Sequence, residues 1–98
     1  MNVIEIAAAA EDCVGQARAT HACLAARRGM DDYGVRILLL TKARGAEGLA
    51  KLAGDRLQAA DPDGRDAADL RTALYDATDA QGLWYCAACS AADLAPRG

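Results

Sequence analysis

Val35-Arg36-Ile37-Leu38-Leu39-Leu40-Thr41 is the stretch on which the fold class turns. A short apolar run suits a buried strand as well as a buried helix segment, and periodicity alone does not separate them. A strand needs a partner to satisfy its backbone, and no other segment of this 98-residue chain offers a convincing one. The run is therefore predicted to lie in a helix over residues 32–43, and the chain to be all-α. Composition points the same way. Alanine fills 25 positions, there is no Phe, and only four residues are aromatic, so the best helix former dominates while strand formers are scarce.

Upstream of the run, Met30-Asp31-Asp32-Tyr33-Gly34 reads as a turn, with Asp31 or Asp32 available as an N-cap. Before it, Ile6, Ala10, Cys13, Ala17, His21 and Leu24 recur at steps of three and four, and Val3, Ala7 and Val14 widen the same face. This pattern predicts a helix over residues 2–28, stopped at Gly29 after Arg27 and Arg28, with Gly15 as its soft point.

Downstream, Gly45 and Gly48 are expected to break the chain. Leu49, Leu52, Ala53, Leu57 and Ala60 then mark a helix over residues 46–60, in which Gly54 suggests close approach by a neighbour. Asp61-Pro62-Asp63-Gly64 is a turn signal. Asp66 and Asp69 have the spacing of a capping pair, and Ala67, Leu70, Ala73, Leu74 and Ala77 form the inner stripe of a further helix. Gly82 interrupts that stripe, and a last helix over residues 83–94 is expected to stop at Pro96. The expected architecture is a single helical domain over residues 1–98, a compact antiparallel bundle of four or five helices.

The formal charge of -3 argues against direct binding to nucleic acid, which needs many Lys and Arg on the phosphates. Charge is nevertheless segregated. Residues 18–56 carry eight bases and four acids, while residues 57–98 carry seven acids and three bases. No apolar stretch approaches membrane-spanning length, and the start of the chain lacks the basic flank of a secretory signal. The expectation is a cytoplasmic protein with no membrane association, whose four cysteines are thiols.

Those cysteines are Cys13, Cys23 and the pair Cys86-Ala87-Ala88-Cys89 behind Trp84-Tyr85. A structural zinc site needs four ligands around one point, with sulfur atoms about 4 Å apart. On a continuous helix Cys13 and Cys23 are separated by about 15 Å of rise and about 80° of rotation, and His21 and Cys23 by about 200°. At most one ligand then comes from the first helix, leaving Cys86, Cys89 and Cys13 as the alternative metal set. A dithiol redox role for Cys86 and Cys89 lacks the preceding strand of thioredoxin-like enzymes. The simplest expectation is that Cys86, Cys89 and Trp84 pack against the first helix, with Cys13 on its inner face, and that no cofactor is bound.

Catalysis is not expected. His21 is the lone histidine, no Ser or Cys occupies a nucleophile elbow, and Gly45-Ala46-Glu47-Gly48 lacks the Lys and hydroxyl of a phosphate loop. Asp61-x-Asp63-Gly64 lacks the later oxygen ligands of a calcium loop. The remaining candidate is the acidic string Asp61, Asp63, Asp66, Asp69, Asp76 and Asp79, with the last three compatible with one outer stripe. The functional expectation is a non-catalytic inhibitor or adaptor that docks this acidic face on a basic protein partner, of the kind that otherwise holds nucleic acid. The alternative is a zinc-stabilised or dithiol module built on Cys86 and Cys89. The run from Val35 to Leu40 adds the expectation of a homodimer.

Overall fold

The computed structural model describes residues 1–26 and 33–93, with side chains described for residues 1–23 and 34–89. It contains three α-helices: α1 (Val3–Ala26), α2 (Tyr33–Ala59) and α3 (Arg65–Asp93). The run at residues 35–41 is helical, and no strand occurs among the described residues. The predicted stops at Arg27 to Gly29 and at Pro96, and the caps at Asp31 and Asp32, lie outside the described residues. Tyr33 and Gly34, shared by the predicted turn and the helix predicted from residue 32, open α2.

Three helices replace the expected four or five because the glycines do not break them. Gly45 and Gly48 lie inside α2, Gly82 inside α3 and Gly15 inside an unbroken α1. At each of these four a Cβ would meet no atom within 4 Å, so all face outward. An exposed helical glycine costs about 1 kcal/mol relative to alanine. Burial of the opposite face outweighs that, through Leu39, Ala43 and Ala46 around the first pair and Ala77, Ala80 and Trp84 around Gly82. Gly54 does face a neighbour, with Leu74 Cδ1 4.0 Å from where its Cβ would be, an ordinary contact between α2 and α3.

Local signals fix two helix starts. Asn2 Oδ1 accepts the Glu5 N–H at 2.8 Å, and the Asn2 N–H donates to Glu5 Oε1 at 3.4 Å, a reciprocal capping box that satisfies donors α1 would otherwise leave open. Between α2 and α3, Asp61 Oδ1 accepts the Asp63 N–H at 3.1 Å and Asp61 O accepts the Gly64 N–H at 3.0 Å. A Cβ on Gly64 would sit 3.2 Å from Asp61 O, so this turn favours glycine. Asp66 lies within the first turn of α3, beyond the capping position that the sequence spacing suggested, and contributes charge near the positive end of the helix dipole.

Packing gathers into two clusters. One joins Ile6 and Ala10 of α1, Ala53 of α2 and Leu70, Ala73 and Ala77 of α3. The other joins Val14 and Ala17, then Leu39, Ala43 and Ala46, then Ala80, Trp84, Ala87 and Ala88. The start of α1 thus meets the end of α2 and the start of α3, so α2 runs antiparallel to its neighbours while α1 and α3 run parallel. Helix α3 is central, packing along both others, whereas α1 and α2 meet at few points. Alanine supplies most of the interior, and no polar or charged residue is buried among the described residues. Side chains this small leave the helix backbones close together.

Candidate functional site

The acidic string divides on the structure. Asp61, Asp63, Asp66 and Asp69 are exposed, at the α2–α3 turn and along the first turns of α3. Asp76 and Asp79 are half-buried. Asp79 Oδ2 accepts from Arg18 Nη2 at 3.1 Å, tying α3 to α1. Asp79 thus lies at the edge of the α1–α3 seam, while Asp69 is exposed. The first four make the more exposed end of the string.

The cysteines divide as well. Cys13 is half-buried and packs on the cluster around Trp84, as expected for an inner-face residue. Trp84 is buried at 2% exposure against Val14 and Ala17 of α1. Cys86 and Cys89, expected to pack with it, are exposed instead. The buried arc of α3 here is set by Ala80, Trp84, Ala87 and Ala88. At about 100° per residue, Cys86 and Cys89 each point about 100° away from the nearest of those positions.

Cys23 is exposed on α1. No group of three or more His, Cys, Asp or Glu side chains that could hold a metal ion occurs among the described residues. Within one chain, the set of Cys86, Cys89 and Cys13 is not brought together.

Trp84 carries the one feature of this region with no sequence signal. Its indole Nε1 is buried and has no hydrogen-bond partner, a state that costs about 1–3 kcal/mol. Lys42 Nζ lies 5.6 Å from the ring centroid, within range of a cation–π contact. Nearby on α2, Ile37, Leu38 and Leu40 are 47%, 55% and 39% exposed. Four successive apolar residues cannot share one helix face, so Leu39 takes the core and the other three are left toward solvent.

The described surface carries several hollows, one of them shared by all three helices and lined by Asn2, Val3, Ile4, Arg56 and Asp66. A second, of about 380 Å³, is lined by α3 alone, by Tyr75, Thr78, Asp79, Gly82, Leu83 and Cys86. Another lies along α1 over Gly15. These two are dents on a single helix where a glycine leaves out a side chain. No helix among the described residues is long and apolar enough to cross a membrane. Comparison with protein-family models, with curated proteins and with solved structures finds no match.

Proposed function

We propose that this chain is a non-catalytic binding protein, an inhibitor or adaptor, that docks its acidic end on a basic protein surface. The observation that carries this reading is the joint exposure of Asp61, Asp63, Asp66 and Asp69 around one turn. Four carboxylates against Arg65, the one base within residues 61–69, give this segment a net negative surface, which steers a basic partner.

The test is a pull-down from the native host with a salt titration, run beside two double variants. Capture that weakens steeply with salt and is lost in Asp63→Asn/Asp66→Asn, but survives in Asp76→Asn/Asp79→Asn, is the expected result. Capture indifferent to salt, or lost equally in both variants, would sink the reading.

A further inference from the structure

We infer that Cys86 and Cys89 form half of a thiolate site for zinc or a similar soft divalent cation, completed by the same pair from a second copy of this chain. Both thiols are exposed on one helix, three positions apart. Side chains at that spacing are neighbours, with Cβ atoms about 5–6 Å apart. Two sulfur atoms bound to one zinc need to be about 4 Å apart, since each bond is about 2.3 Å at a tetrahedral angle. The Cβ–S bonds, turned inward, close that difference without moving the backbone.

The same spacing disfavours a disulfide. A disulfide wants Cβ atoms about 3.5–4.5 Å apart, so closing one here would require α3 to distort. An intact α3 therefore favours the dithiol, the form that binds metal once both protons are released to solvent.

The described residues of one chain do not complete the tetrahedron. Cys13 is half-buried in the Trp84 cluster, and no third ligand stands beside the pair among the described residues. A second copy related by a two-fold axis supplies two more sulfurs in the same arrangement, giving four thiolates on one ion. The surface beside the pair permits that approach. Gly82, one turn before Cys86, has no side chain and no atom within 4 Å of where a Cβ would be. The hollow it leaves has Cys86 and Leu83 in its lining, which leaves room for another helix next to the pair.

The test uses the full chain, reduced and freed of metal with a chelator, then titrated with Co²⁺ and in parallel with Zn²⁺. Expected are saturation at one ion per two chains, thiolate-to-cobalt charge-transfer absorption with tetrahedral d–d bands, and a doubling of mass by light scattering on metal addition. All three should vanish in Cys86→Ser and in Cys89→Ser and persist in Cys23→Ser. Circular dichroism should show unchanged helix in each variant, since all three thiols are exposed. Saturation at one ion per chain without a change of mass would overturn the inference. So would a metal response that survives Cys86→Ser, or a dimer that forms equally with and without metal, which would implicate the apolar run on α2 instead.

Discussion

The two ends of the bundle satisfy themselves to different degrees. At the Leu70 end, Asn2 and Glu5 cap α1, the Asp61 turn closes its own hydrogen bonds, and Ile6 and Leu70 are fully buried within a surround of Leu49, Leu52, Leu57 and Leu74. At the Trp84 end, a buried indole N–H has no acceptor, three apolar side chains of α2 face solvent and two thiols stand exposed on α3. The contrast separates two kinds of interaction capacity. The Leu70 end offers charge on a settled frame, with Met1 and Ile4 exposed at its edge, whereas the Trp84 end offers a run of apolar side chains on α2 and thiol chemistry on α3.

The largest effect on that contrast is expected from Trp84→Ala, which removes the largest side chain of its cluster and should lower stability by about 3–5 kcal/mol in denaturant unfolding. Trp84→Phe sharpens the test. It leaves most of the ring but removes the unpartnered donor, whose burial costs about 1–3 kcal/mol. It should therefore cost less than half as much as Trp84→Ala. Equal losses would mean that the orphaned N–H plays no part in the difference between the ends.

Leu70→Ala, at the other end, is expected to cost about 2–5 kcal/mol, the range for a buried leucine. Next comes the cap. Asn2→Ala should cost about 1 kcal/mol, measurable as a lower unfolding midpoint with the slope unchanged. A loss near zero would show that the capping box does not contribute to the settled state of this end. The smallest changes carry the opposite sign. Gly45→Ala and Gly82→Ala should each raise stability by about 0.5–1 kcal/mol, because the outward Cβ meets nothing and the helix gains propensity. Destabilisation by either would contradict their placement inside continuous helices.

Those same glycines mark where the sequence was legible and where it was not. The apolar stripes through Ile6, Ala10 and Ala17 and through Leu70, Ala73 and Ala77 identify inner faces directly, because their spacing follows the helix period. The Asp61-Pro62-Asp63-Gly64 turn is equally plain. Helix number was misread at Gly45, Gly48 and Gly82, because propensity is local while the burial that overrides it comes from a neighbouring helix. The capping box was legible in principle, as Asn2 and Glu5 have the required spacing.

At the candidate sites, the seam position of Asp79 depends on where Arg18 of α1 lies, information that the α3 sequence does not hold. Cys86 and Cys89 were misplaced inward for a different reason. Cysteine has the composition of a core residue, yet Ala80, Trp84, Ala87 and Ala88 had already claimed that side of the helix.

The parallel pairing of α1 with α3 has a kinetic consequence. Helices α2 and α3 join through a turn of a few residues, so their contacts close over short loops, while Ile6 and Leu70 must meet across more than half of the chain. Loop closure of that length is the slower event. The α2–α3 hairpin is accordingly expected to form first and α1 to dock last. In native-state hydrogen exchange, the amides in the middle of α1 should then open at lower free energy than those in the middle of α3.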